Sequence, residues 1–107
     1  MTRGTILWVD LADASPPELG KRRPGLVVSN SAQNAVLDSV VIIPLSSRPP
    51  EIWPLRVALR LAGRKRSFAV IPGIRQVSKR RLLNRIASLD AADLHAVDDA
   101  IKAYLAD

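Results

Sequence analysis

Residues 39–47 read SVVIIPLSS, and this run decides the fold class. Its β-branched density, with Val40 to Ile43 consecutive, is typical of a buried strand. The length suits a strand better than a helix, since core helices usually run to ten residues or more. We therefore predict a central strand over 39–47, with the rest of the chain built around it.

Shorter strand signals lie on both sides of this run. The predicted strands are 3–11 (RGTILWVDL), 25–30 (GLVVSN), 55–60 with alternating apolar and basic residues, 67–77, and 84–88. Pro72-Gly73 should interrupt the strand at 67–77 with a bulge, because proline lacks a ladder donor. Connections are expected at 12–21, 49–54 and 63–66, with single helical turns at 31–38 and 78–83. This spacing predicts five or six short strands.

The C-terminus predicts a helix. Asp90 is a good N-cap, and Asp93 adds a negative charge in the first turn, where the helix dipole favours it. An apolar stripe follows at helical spacing: Leu94, Val97, Ile101, Tyr104 and Leu105. Residues 1–107 are therefore predicted to form one domain of mainly β (α+β) class, a small barrel closed by a C-terminal helix.

Charge is the outlying property of the chain, at +6 with a pI near 10.8. Residues 1–88 hold 15 of the 16 lysines and arginines but only five of the ten acidic residues. Such a basic body implies a polyanionic partner, either nucleic acid or an acidic protein chain. With no cysteine, no apolar run of membrane-spanning length and no signal-peptide pattern, we expect a cytoplasmic protein without membrane contact.

The residue inventory narrows the possible chemistry. The single histidine, His95, falls on the solvated face of the predicted helix, which disfavours histidine-based nuclease and triad mechanisms. No cluster has metal-ligand spacing, and no phosphate-binding glycine loop is present, so we expect no metal and no cofactor. An enzyme built from this chain would depend on arginine, lysine, hydroxyl and backbone groups. RNA cleavage fits that set, because RNA supplies its own 2′-hydroxyl nucleophile and guanidinium groups stabilise the phosphorane-like transition state.

Arg23 is the residue best placed for this role. Pro24 restricts it to extended backbone, and the basic triplet Lys21-Arg22-Arg23 meets a buried strand here. A guanidinium fixed on a strand is better preorganised than one on a loop. The alternative is an ordinary solvated arginine at a strand entry.

Four motifs in order resemble the MazF/PemK group of toxin endoribonucleases. They are Arg3-Gly4, the block KRRPGLVVSN (21–30), the block PLSS (44–47), and the block IRQVSKRRL (74–82). The resemblance covers nearly the whole chain. It implies an SH3-like β-barrel with a C-terminal helix, a homodimer, and cleavage of single-stranded RNA without metal, leaving 2′,3′-cyclic phosphate and 5′-hydroxyl ends. It also implies an antitoxin whose acidic, partly disordered tail covers the RNA groove.

The resemblance assigns candidate roles residue by residue. Arg23 matches the main catalytic arginine, and Ser46 matches a hydroxyl residue that is often threonine in relatives. Expected RNA contacts are Arg3, Lys21, Arg22, Ser47 and Arg75, although Arg75 could equally brace its strand through an ion pair. Thr5, the stiff loop SPPELG (15–20) and Pro72-Gly73 depart from the family pattern, which leaves base selectivity open.

Two other functions remain as alternatives. One is a CcdB-type gyrase poison on the same barrel, which should end in a Trp-Gly-Ile-like sequence; this chain ends Tyr104-Leu105-Ala106-Asp107. The other is a non-catalytic nucleic-acid-binding barrel with a phosphate patch formed by Arg56, Arg60, Arg64, Lys65 and Arg66. Trp8 and Trp53 could stack on bases, but we expect Trp8 in the core.

Overall fold

Short strands alternate with turns along the chain, and one long helix ends it. The computed structural model describes residues 1–61 and 66–107, which form seven strands and two α-helices. The strands are β1 (Thr5–Asp10), β2 (Arg22–Val27), β3 (Ser39–Ser46), β4 (Arg56–Leu59), β5 (Ser67–Val70), β6 (Arg75–Ser78) and β7 (Leu82–Ser88). The helices are α1 (Ser31–Val36) and α2 (Ala91–Leu105), and 3-10 turns occupy Ile71–Gly73 and Lys79–Arg81. The predicted mainly β fold with a C-terminal helix is confirmed. The predicted turn at 63–66 falls almost wholly outside the described residues.

Strand β3 is central, as its sequence predicts. The sheet order is β4-β5-β3-β2-β1-β7, with β6 also paired to β3, and every pairing is antiparallel. One edge of β3 pairs with β2, and the other is shared between β6 near its start and β5 near its end. The C-terminal end of β3 therefore lies where several strands meet, and Ser46 is its last residue.

Apolar side chains cover both faces of the central strands. One core contains Ile6, Leu26 and Ile43 and includes Val97 and Ala100 of α2. A second core contains Leu7, Val27 and Ile42. Successive residues of a strand point to opposite faces, so burial on both faces explains the continuous apolar run in β3.

The segment 67–77 departs from its prediction. It forms two strands, β5 and β6, separated by the 3-10 turn Ile71–Gly73, and so the bulge in a single strand is wrong. Pro72 lacks a backbone donor and opens a turn more easily than it continues a ladder. A Cβ on Gly73 would lie 2.6 Å from Cγ of Pro44, so the turn sits against β3 closely enough to need glycine. The strand count is accordingly seven in the described residues, above the predicted five or six.

Some boundaries also differ from the sequence analysis. Strand β2 begins at Arg22 and ends at Val27, where the sequence predicts 25–30, because Arg22 and Arg23 pair with Asp10 and Val9 of β1. Strand β7 begins two residues early, at Leu82. Asp90 caps α2 as predicted, its carboxylate accepting from the Asp93 amide at 2.8 Å. No helix in the described part of the chain is long and apolar enough to cross a membrane.

Candidate active site

Arg23 lies at the start of β2 with its guanidinium held by two backbone carbonyls. Nε donates to the Gly20 oxygen at 3.0 Å, and Nη1 donates to the Leu45 oxygen at 3.4 Å. Within the described residues, Nη2 makes no hydrogen bond. A guanidinium carries five N–H donors in a rigid plane, so these two contacts fix its orientation and leave donors for a ligand.

The backbone before Arg23 adopts an uncommon conformation. Lys21 has φ of 66°, in the left-handed region that favours glycine. Its carbonyl accepts from the Leu11 amide at 2.8 Å, which closes the ten-residue loop predicted at 12–21. The next carbonyl upstream, that of Gly20, is the one that binds Arg23. The turn at Lys21 therefore connects the end of the loop to the orientation of the Arg23 guanidinium.

Ser46 sits one residue beyond the carbonyl that binds Arg23. Its Oγ accepts a hydrogen bond from the Arg48 amide at 3.2 Å, which leaves the hydroxyl proton free to donate. Ser46 is half-buried, whereas Ser47 and Arg48 are exposed. The guanidinium of Arg23 and the hydroxyl of Ser46 thus lie at the same end of β3.

Both residues line a cleft of about 630 Å³. The other residues lining it are Trp8, Lys21, Arg22, Pro24, Leu45, Ser47, Arg48, Arg66 and Ser67. With Arg23 included, five of the described residues that line the cleft are lysine or arginine, and none of them is acidic. The structure brings five of the seven predicted site residues together here: Lys21, Arg22, Arg23, Ser46 and Ser47. Such a wall attracts and seats polyanions.

Arg75 lies elsewhere, at the start of β6. It lines a separate cavity of about 420 Å³ with Leu11 and Glu18, and its Nη2 lies 3.7 Å from Oδ2 of Asp13. Asp13 also accepts two hydrogen bonds from Arg81, at 2.9 and 3.0 Å. Asp13 thereby anchors the loop to β6 and to the turn before β7. Of the two roles considered for Arg75, this contact corresponds to the ion pair, and its RNA contact stays a prediction.

Arg3 lies outside the cleft as well. Its guanidinium pairs with Asp98 of α2 and donates through Nε to the Val28 oxygen at 2.9 Å. These contacts tie the N-terminus to the C-terminal helix. The prediction that Arg3 contacts RNA has no support from this position and stays a prediction.

Trp8 and Arg48 belong to the cleft wall but are not among the predicted site residues. Trp8, expected in the core, is 37% exposed and lines the cleft, so that expectation is wrong. The place of Arg48 directly after Ser46-Ser47 is a sequence signal that points to it. Of the alternative phosphate patch, Arg66 lines the cleft and Arg56 is engaged by the Pro50 and Arg48 carbonyls. Arg64 and Lys65 lie outside the described residues.

Comparison with known proteins decides the family. Residues 2–105 match the model of the PemK-like, MazF-like toxins of type II toxin–antitoxin systems. The chain belongs to this toxin family. It is 32% identical to endoribonuclease MazF9 of Mycobacterium tuberculosis, over 98% of this chain and 96% of that protein. The family resemblance seen in the sequence is thus confirmed.

Solved structures agree with the family assignment. MazF from Deinococcus radiodurans superposes with a TM-score of 0.86 at 26% identity, covering 98% of this chain and 96% of that one. A MazE–MazF complex from the same organism matches with a TM-score of 0.78 at 26% identity, covering 98% and 95%. The MazF-like fold therefore extends over nearly the full length of the chain.

Proposed function

We propose that this toxin is an endoribonuclease that cleaves single-stranded RNA by internal transesterification, with no metal ion taking part. The 2′-oxygen forms a bond to the adjacent phosphorus, and the bond from phosphorus to the 5′-oxygen breaks. One proton passes overall from the 2′-oxygen to the 5′-oxygen. The products are a 2′,3′-cyclic phosphate and a 5′-hydroxyl, and the reaction consumes no oxidant, reductant or water.

The carbonyl-anchored guanidinium of Arg23 carries the proposal. Its free donors face a basic cleft, where they can bind the non-bridging phosphate oxygens as negative charge develops on them. Arginine remains protonated at any physiological pH, so its role is electrostatic and not that of an acid or base. Lys21, Arg22 and Arg48 seat the neighbouring phosphates.

Ser46 orients the reacting phosphate. Its Oγ accepts from the Arg48 amide, so its hydroxyl proton remains available to another acceptor, and a phosphate oxygen in the cleft can serve as one. Ser46→Ala should lower kcat more than it weakens RNA binding. An equal loss in both would reduce Ser46 to a binding contact.

The decisive experiment uses a labelled single-stranded RNA in excess EDTA, with the parent protein, Arg23→Ala and Arg23→Lys. The parent should yield cyclic-phosphate ends. Arg23→Ala should lose about 100-fold to 1,000-fold in kcat, as removal of a transition-state donor does elsewhere. Arg23→Lys keeps the charge without the planar fork and should recover only a small part of the rate. Cutting that survives Arg23→Ala, or that requires magnesium, would refute the proposal.

We also propose an antitoxin with an acidic tail as the inhibitory partner, and a homodimer as the working form. The basic cleft supports the first, together with the MazE–MazF complex of a relative. An acidic peptide from the cognate antitoxin should protect the cleft from RNA in competition binding. A mass of one chain in solution at micromolar concentration would contradict the dimer.

A further inference from the structure

Trp8 is an exposed aromatic residue in a strand whose other apolar side chains are buried. Its indole is 37% exposed, whereas Leu7 is 2% exposed and Val9 is fully buried. Trp8 pairs with Pro24 across the β1–β2 ladder, next to Arg23. A tryptophan at the surface of a basic cleft offers aromatic surface that a ligand can contact.

The indole also lines a second depression, of about 460 Å³, which we call the Trp8 pocket. Its lining consists of Trp8, Arg22, Leu83 and Asn84. Trp8 and Arg22 line both this pocket and the cleft that contains Arg23. The two cavities are therefore adjacent, with the indole and one guanidinium between them.

The chemistry of the Trp8 pocket matches a flat, uncharged heterocycle attached to an anion. The indole ring offers a stacking surface, and the exposed side chain of Leu83 adds apolar area. Arg22 can pair with a phosphate or stack through its guanidinium plane, and the Asn84 amide offers both a donor and an acceptor. Of the residues that the structure describes, those that continue the cleft surface toward Arg23 are all neutral or basic.

We propose that the Trp8 pocket binds an unpaired nucleobase of the RNA, next to the phosphate held by Arg23. This inference rests on the proposed nuclease function and adds a base-binding subsite to it. Trp8 supplies stacking, which tolerates any base, and Asn84 supplies a hydrogen bond to the base edge. Strand β1 places the indole at the cleft, because the residues on either side of Trp8 are buried.

Fluorescence binding tests the subsite without requiring cleavage. In a Trp53→Phe background, Trp8 is the sole tryptophan, and a 2′-O-methyl RNA that cannot be cut should quench its emission. Trp8→Ala should raise the Kd by about 5-fold to 100-fold, the range for loss of one base stack. Trp8→Phe should recover most of that loss. Trp53→Ala is the matched control, because Trp53 is 55% exposed and is not among the residues that line either cavity.

A series of RNAs with one abasic nucleotide locates the contact. The parent protein should bind one RNA of the series more weakly than the others. In Trp8→Ala this position-specific loss of affinity should disappear, while the abasic sites at the other positions keep their effects. An unchanged abasic profile in Trp8→Ala, or RNA binding that leaves Trp8 emission unaltered, would overturn the subsite. Quenching of Trp8 emission by an acidic antitoxin peptide but not by RNA would also overturn the subsite. RNA quenching without any cleavage would retain the base subsite and refute the nuclease proposal, so the two can fail separately.

Discussion

Replacing Lys21 tests whether its left-handed backbone positions Arg23. A non-glycine residue in this region costs about 1–2 kcal/mol relative to ordinary backbone. Glycine removes that cost but adds about 0.5–1 kcal/mol of unfolded-state entropy. Lys21→Gly should therefore stabilise the fold by about 0.5–1 kcal/mol, which raises Tm by roughly 2–8 °C. Lys21→Val, whose branched side chain resists positive φ, should destabilise it by about 1–2 kcal/mol.

The same pair of variants separates positioning from binding in the cleavage assay. Both remove one cation, so both should raise KM and reduce the salt dependence of RNA binding. Only Lys21→Val should also lower kcat, because a shift at residue 21 moves the Gly20 carbonyl away from Nε of Arg23. Lys21→Asn, which tolerates left-handed backbone, should behave like Lys21→Gly.

Thermal denaturation followed by circular dichroism measures the change in Tm. Steady-state cleavage of one RNA measures the changes in kcat and KM. If Lys21→Gly destabilises the fold as much as Lys21→Val, the backbone at 21 is unstrained. If the two variants share one kcat, the Gly20 carbonyl does not set the orientation of Arg23. Either result would refute the reasoning.

Two further predictions concern the packing of Gly25 and the ion pair between Arg3 and Asp98 of α2. Gly25→Ala should cost about 1–3 kcal/mol in urea unfolding, because its Cβ would lie 2.8 Å from Cγ2 of Val9; a neutral effect would mean that β1 and β2 separate easily. Asp98→Asn should lower stability by about 1 kcal/mol while leaving the RNA Kd unchanged, since the Arg3–Asp98 pair lies outside the cleft; a change in Kd alone would place this pair in the RNA surface.

The strand and helix pattern was predictable where one local signal dominated. Strand β3 was predictable from the β-branched run at 39–47, and helix α2 from the N-cap Asp90 and the apolar stripe that follows it. Neither prediction needed information on tertiary contacts. The segment 67–77 was harder, because a proline and a glycine together are compatible with both a bulge and a turn. Which one forms depends on the approach of Gly73 to Pro44, a contact 29 positions apart in the sequence.

The candidate site was predictable in part for the same reason. The triplet Lys21-Arg22-Arg23 and the pair Ser46-Ser47 are local signals, and the fold brings them to one cleft. The exposure of Trp8 was not predictable, because the alternation of a strand gives the face of a residue but not how far the core extends along it. The placement of Arg3 outside the cleft was not predictable for a related reason: its partner, Asp98, is 95 positions away.

The contact between Gly20 and Arg23 limits how this loop can be redesigned. Segment 12–19 can be exchanged for another sequence without touching the carbonyl that orients the guanidinium, provided that Asp13 keeps its contacts with Arg75 and Arg81 and that the two ends still meet at Leu11 and Lys21. An insertion between positions 20 and 23 would break that orientation regardless of the residues inserted. Loop grafts between related toxins should therefore preserve the orientation of Arg23 only when their junction is placed before Gly20.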